Sequence, residues 1–209
     1  MKGMELLITS EYSWNDYLKY GKRLFYKKNS IIFQQGDVRN GFYYLFKGII
    51  KITSTNSRND KRILDIVGQG DLVGDTDSKP YFSSAVCHED CILYFFSKDD
   101  YEKLIYQHPE TTALFFQSLF QKQRSLLNNL NASSTGTEYQ IAYSLLHLIN
   151  IYKGTDINLT QQELSQYVGL SRITIYKILK NWSSEHIIEL YNKKISIKNI
   201  ELLKKKLLY

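Results

Sequence analysis

The 209-residue chain holds only two cysteines, Cys87 and Cys91, and two prolines. Two thiols are too few for a disulfide framework in a chain of this size, and they fit a reducing compartment. Long hydrophobic runs are missing as well. No stretch approaches the ~20 apolar residues needed to span a bilayer. Between Met1 and Leu18 the apolar residues are interrupted by Glu5, Glu11 and Asp16, unlike the continuous core of a signal peptide. The chain therefore reads as cytoplasmic, with no membrane partner. Its four scattered histidines form no evident centre. No Ser-His-Asp set, phosphate loop or spaced carboxylate pair stands out, so the sequence does not read as an enzyme.

What is present is apolar enough to fold: 43% hydrophobic composition can supply the core of one large domain or two small ones. Lys and Arg number 27 against 21 Asp and Glu, a net charge of +6. That mild basic bias suits a polyanionic partner without establishing one. From about Gly21 to Phe96 short β-branched and aromatic runs alternate with glycine or polar turns: Ser30 to Phe33, Gly41 to Phe46, Ile49 to Thr53, Arg62 to Val67 and Cys91 to Phe96. This spacing predicts an antiparallel sandwich or barrel.

The pattern then turns helical. Ser97 with the acidic residues behind it caps a short helix at Tyr101 to Gln107, stopped ahead of Pro109. A longer helix runs from Pro109 to Asn131, and its Phe115, Leu119, Leu126 and Leu130 keep the near-heptad spacing that lets two copies pack along their length. The small, polar stretch from Asn131 to Thr137 reads as a hinge. A second, largely helical domain follows, opening with an amphipathic helix from Glu138 to Tyr152.

The stretch from Leu159 to Leu179 carries the functional argument. Thr160 and Glu163 have the spacing of a capping box, Leu164 and Val168 give a buried stripe, and Gly169 supplies a left-handed turn. Ser171 caps a second helix, with Ile175, Ile178 and Leu179 inward and Arg172, Ile173, Thr174 and Lys177 outward. This is a helix-turn-helix, whose second helix enters the DNA major groove. Arg172 suits a bidentate contact to guanine and Ile173 a thymine methyl, while Lys177 reaches a base or phosphate. Thr160, Gln161 and Gln162 suit phosphate or flanking contacts. From Ile187 to Ile197 two short strands flank Asn192, Lys193 and Lys194, a basic wing.

With these features in order, the chain resembles the CRP/FNR family of bacterial transcription regulators over roughly residues 20 to 200. The resemblance rests on Gln34-Gln-Gly-Asp37, on the run from Tyr43 to Ile52, on the run from Val67 to Gly74, and above all on Val168 to Leu179. It implies an α+β protein: an N-terminal antiparallel β jelly roll of the cyclic-nucleotide-binding type at 1–108, a dimerisation helix and hinge at 109–134, and a winged helix-turn-helix at 135–209. It further implies a homodimer on a palindromic site, with double-stranded DNA, a second copy and RNA polymerase as partners.

The departures bear on the effector. Nucleotide-binding members place a carboxylate after the glycine and an Arg-Ser or Arg-Thr pair further on. Here Gly74 precedes the shorter Asp75, and the matching pair is Ser83-Ser84, with no arginine to neutralise a cyclic phosphate. Cyclic AMP and cyclic GMP are therefore not the expected ligands. Two cysteines cannot supply the four ligands of an iron-sulfur cluster. Cys87, His88 and Cys91 form a tempting redox or metal cluster, but they lie across an expected hairpin turn and read as ordinary strand-end residues, so no metal site is assigned. Haem could be held by His88, His108 or His147, and no motif selects one. No cofactor is assigned; an unknown small-molecule effector could sit among Gly74, Asp75, Ser83, Ser84 and Ser125. The rival reading is a metabolite- or redox-sensing protein that acts through protein contacts.

Overall fold

A computed structural model describes residues 12–38, 40–75 and 79–208. The region read as lacking a signal peptide lies outside the described residues up to position 11, and of Asp75 only the backbone is described. Packing divides the chain into two compact units, Met1–Ile52 with Val67–Arg124, and Thr53–Ile66 with Ser125–Tyr209.

Among the described residues, eight strands of the N-terminal part make two four-stranded antiparallel sheets. They are β1 (Lys22–Tyr26), β2 (Ile31–Phe33), β3 (Gly41–Lys47), β4 (Ile50–Thr55), β5 (Lys61–Val67), β6 (Leu72–Asp75), β7 (Ser84–Cys87) and β8 (Cys91–Ser97). The sheets have the orders β1-β8-β3-β6 and β2-β7-β4-β5. Successive strands pass from one sheet to the other everywhere except at the β4–β5 hairpin, which is the winding of a jelly roll. Cys87 and Cys91 therefore bracket a crossing between sheets and not the hairpin turn that the sequence suggests.

Strand periodicity explains why β3 and β8 read as near-continuous apolar runs: side chains alternate between faces, and both faces are covered. Leu45 and Leu93, opposite each other in the register, enter a core with Phe33, Ile50, Val67, Val73 and Ala85. Phe42 and Phe96, also opposite, stack with centroids 5.3 Å apart on the other face. There they join Trp14 and Tyr17 of a 3-10 helix (Trp14–Tyr20), and Tyr101 and Leu104 of α1 (Lys98–Gln107). Ser97 caps α1 as the sequence indicates, its hydroxyl accepting from the Asp100 amide at 3.1 Å.

Helix α2 spans Glu110–Thr135, four residues beyond the expected end at Asn131. Its last turn is built from the residues that read as a hinge. The hydroxyls of Ser133, Ser134 and Thr135 donate to the carbonyls of Leu130, Asn131 and Asn131, so they fold back onto the helix instead of ending it. The helical run breaks only at Gly136, the cap of α3 (Thr137–Tyr152).

The expected apolar stripe of α2 also needs correction. Phe115 is half-buried against Phe42 and Tyr101, each ring centroid 5.3 Å away, whereas Phe116, Leu119, Phe120, Leu126, Leu127 and Leu130 are exposed. The outward ladder is therefore Phe116, Leu119, Gln123, Leu126 and Leu130, with alternating steps of three and four.

The second unit's core gathers Ile141, Leu145 and Leu148 of α3, Leu164 of α4 (Gln161–Val168), Ile175, Leu179 and Trp182 of α5 (Arg172–Ser184), and Leu203 of α6 (Ile200–Lys205). A small sheet, β10-β11-β9, completes it, with β9 at Asp156–Ile157, β10 at Ile188–Tyr191 and β11 at Lys194–Ile197.

Phe96 is fully buried, with Trp14 at 5.7 Å between centroids. Phe96→Ala should cost about 3–5 kcal/mol. The midpoint of urea unfolding followed through Trp14 fluorescence in a Trp182→Phe background should fall accordingly.

Candidate nucleic-acid interface

Two capped helices around one glycine set the geometry. At the start of α4 the Thr160 hydroxyl accepts from the Glu163 amide at 3.1 Å, while the Glu163 carboxylate accepts from the Thr160 amide at 2.9 Å, a complete capping box. Leu164 and Val168 are buried, as their spacing requires. The helix ends where Gly169 takes φ +82°, its amide donating to the Ser165 carbonyl at 2.8 Å. A Cβ there would lie 2.9 Å from an Arg62 guanidinium nitrogen, the far end of an exposed side chain that can move aside, so it is the backbone conformation that asks for glycine. The Gln140 side-chain amide donates to the Val168 carbonyl at 2.8 Å and holds the turn against α3.

Ser171 then caps α5, accepting from the Thr174 amide at 3.1 Å. Ile175, Leu179 and Trp182 face the core, and Ile178 is only half-buried. Arg172, Ile173 and Lys177 are exposed, as expected. Thr174, expected to project freely, is half-buried, and its hydroxyl lies 2.8 Å from that of Ser171, which makes it part of the cap. Tyr176 and Lys180 also stand on the exposed face, and the sequence reading passed over both. Helical periodicity alone would have found them, since they follow Arg172 and Tyr176 respectively by one turn.

The wing is a two-residue hairpin. Tyr191 pairs with Lys194, and Asn192 and Lys193 between them take φ +46° and +63°, the primed turn that matches strand twist. Lys194 thus begins β11, and the tip itself is Asn192-Lys193. Lys198, beyond the wing, is held by Glu189 at 2.7 Å, and that hydrogen bond raises its pKa.

These pieces meet. A groove of about 500 Å³ is lined by Thr160, Gln161, Gln162, Arg172, Lys193 and Lys194, together with Leu159, Asn192, Ile195 and the wing residues Leu190 and Tyr191. Six of the ten DNA-contact candidates therefore line one concavity, and its lining carries three cations and no carboxylate. The other four, Ser171, Ile173, Thr174 and Lys177, follow on the cap and first turns of α5. An exposed helix beside a cationic groove can present side chains to base edges while amides and lysines hold phosphates.

The effector candidates are less tightly gathered. Gly74, at φ +88°, and the serines Ser83 and Ser84 lie in the first unit, and Ser125 lies in the second. A Cβ on Gly74 would meet the Tyr81 hydroxyl at 3.1 Å, and Tyr81 stacks on Phe33 with centroids 3.8 Å apart. Ser83 is buried, and the Ser84 hydroxyl accepts from the Gln35 amide at 2.9 Å. Both cysteines are buried and free; the hydrogen bond with the Cys91 thiol, and then burial, push the Cys87 pKa up. Both ring nitrogens of His108 are engaged, by Tyr20 at 2.7 Å and Glu110 at 3.3 Å. Among the described residues no group of three or more His, Cys, Asp or Glu is placed to hold a metal, and no helix is long and apolar enough to cross a membrane.

Known proteins match both parts of the chain. Residues 23–108 match the cyclic nucleotide-binding domain, and residues 140–206 the Crp-like helix-turn-helix domain. The chain is 27% identical over 190 residues to the cyclic AMP receptor protein of Thermus thermophilus, covering 89% of this chain and 88% of that protein. It is 26% identical to a CRP-like cAMP-activated global transcriptional regulator of Mycobacterium tuberculosis, covering 85% and 84%. Among solved structures, a CRP/FNR-family transcriptional regulator of Thermus thermophilus superposes with a TM-score of 0.79 at 18% identity, over 90% of this chain and 99% of that one.

Gly169→Ala should cost about 1–2 kcal/mol, the penalty of a left-handed residue with a Cβ. Gly154→Ala, where the nearest atom to a Cβ is 3.9 Å away, should stay within about 0.5 kcal/mol. Denaturation followed through Trp182 checks both.

Proposed function

Since this chain belongs to the CRP/FNR family of transcription regulators, which bind DNA and are not enzymes, we propose that it acts as a homodimer on a palindromic operator. Each α5 takes one half-site, the two about one DNA turn apart. The observation that carries this reading is the carboxylate-free groove uniting the α4 N-terminus, Arg172 and the wing. Arg172 is the candidate for bidentate recognition of guanine. Lys193 and Lys194 are candidates for the phosphates beside it, with Thr160, Gln161 and Gln162 on the flank.

The second copy pairs along the outward ladder of α2. Phe116, Leu119, Leu126 and Leu130 are exposed large apolar side chains at heptad spacing, and a lone helix gains nothing from leaving such a row in water. RNA polymerase is the further partner that family membership implies. Control comes from an effector event in the N-terminal jelly roll. Several relatives carry cyclic AMP in their names, but this chain puts the neutral pair Ser83-Ser84 where a phosphate-binding arginine is needed, and Ser84 already serves the Gln35 amide. Cyclic AMP is therefore not the effector we propose.

Affinity for a selected duplex should fall steeply with salt, as phosphate neutralisation demands, and Lys193→Ala or Lys194→Ala should each lower the slope by about 1. Arg172→Ala should cost ~1–3 kcal/mol and relax preference at one base pair of each half-site. Binding without salt dependence, or unaltered selectivity in Arg172→Ala, would favour a module that docks on proteins. In a melting assay cyclic AMP should leave the midpoint unchanged, because a ligand stabilises only the state it binds. A rising midpoint would restore the cyclic nucleotide as effector.

A further inference from the structure

The solvent face of α5 carries more than its cations. At about 100° per residue, Arg172, Ile173, Tyr176, Lys177 and Lys180 fall within an arc of roughly 140°, opposite the buried Ile175, Leu179 and Trp182. Two of the five are apolar and well exposed: Ile173 at 68% and Tyr176 at 48%. The Lys180 ammonium lies 5.9 Å from the Tyr176 ring centroid, so the lysine stem runs beside the ring. Single exposed apolar residues are ordinary. Two of them at i and i+3, framed by three cations on one helix face, are not explained by a helix that only holds phosphates.

The same helix lacks the alternative chemistry. From Arg172 to Ser184 it has no aspartate or glutamate. Cytosine is told from thymine in the major groove by its N4 amino donor, which calls for an acceptor such as a carboxylate, whereas thymine offers its C5-methyl to an apolar surface. The nearby hydroxyl of Thr174 is already engaged with Ser171. The Ile173 side chain and the Tyr176 ring offer apolar surface on this face.

Resting on the DNA-reading role of α5 proposed above, we infer that Ile173 and Tyr176 are specificity-determining residues that read thymine C5-methyl groups. Each half-site then carries thymine next to the base pair facing Arg172. Replacing such a thymine by uracil removes the methyl and leaves every hydrogen-bonding group of the base pair in place.

The test uses the full chain. A half-site is selected from a random duplex pool, and each of its thymines is replaced singly by deoxyuridine. At one or two positions beside the Arg172-dependent base pair the wild type should bind about fourfold more weakly, the value of one buried methyl group. Ile173→Ala and Tyr176→Ala should each abolish the penalty at one position. Both side chains are exposed, so folding, followed by circular dichroism, should not change. Ile173→Glu should move the selected base from thymine to cytosine. A selected half-site without thymine there, or equal binding of thymine and uracil at every position, overturns this inference and leaves the DNA-binding reading standing. If no duplex is enriched or bound in a salt-dependent way, the underlying reading fails with it.

Discussion

The DNA-reading end of this protein depends on a single backbone reversal. Gly169 sits in the left-handed region between two helices whose first turns are fixed independently, one by the Thr160 and Glu163 capping box and the other by Ser171 with Thr174. Because each cap fixes where its helix begins, the short turn Gly169-Leu170-Ser171, reversed at the glycine, sets the angle between α4 and α5. That angle brings the N-termini of both helices to one groove with the wing. The buried faces of the helices then become compatible: Leu164 and Val168 on one, Ile175, Leu179 and Trp182 on the other. Packing supplies the stability, and the turn decides which packing is reachable.

Much of this was legible in the sequence because short-range rules govern it. Capping boxes and left-handed glycines are local, and Thr160, Gly169 and Ser171 lie where local rules put them. The same holds for β3 and β8, whose aromatic runs reflect burial on both faces. Short strands were harder. β6, Leu-Val-Gly-Asp, and β7, Ser-Ala-Val-Cys, are four residues each, with a glycine or small polar residues, and they owe their pairing to neighbours distant in sequence.

The errors on α2 have two different causes. Its front half is apolar nearly all round, at Leu114, Phe115, Phe116, Leu119 and Phe120, so periodicity alone cannot say which stripe meets the protein's own core. Only Phe42 and Tyr101 decide that Phe115 does. The rear half misleads through composition: serine and threonine usually mark helix ends because they compete for backbone hydrogen bonds, yet here the competition is resolved onto preceding carbonyls within the helix. The residues expected to hold an effector are a third case. The loss of arginine at Ser83-Ser84 shows which chemistry is gone and leaves its replacement open.

The wing tip shows what such a protein gives up. A two-residue primed turn is most stable with glycine at its second position, and this chain uses lysine there, at φ +63°. A left-handed lysine costs on the order of 1 kcal/mol relative to glycine. That strain is tolerated at the tip of the hairpin, where the lysine is exposed. Exchanging Lys193 for glycine would relieve that strain and remove the cation at the tip, so thermostability and the phosphate contact proposed for Lys193 pull in opposite directions. Selection for heat resistance alone would be expected to blunt the wing.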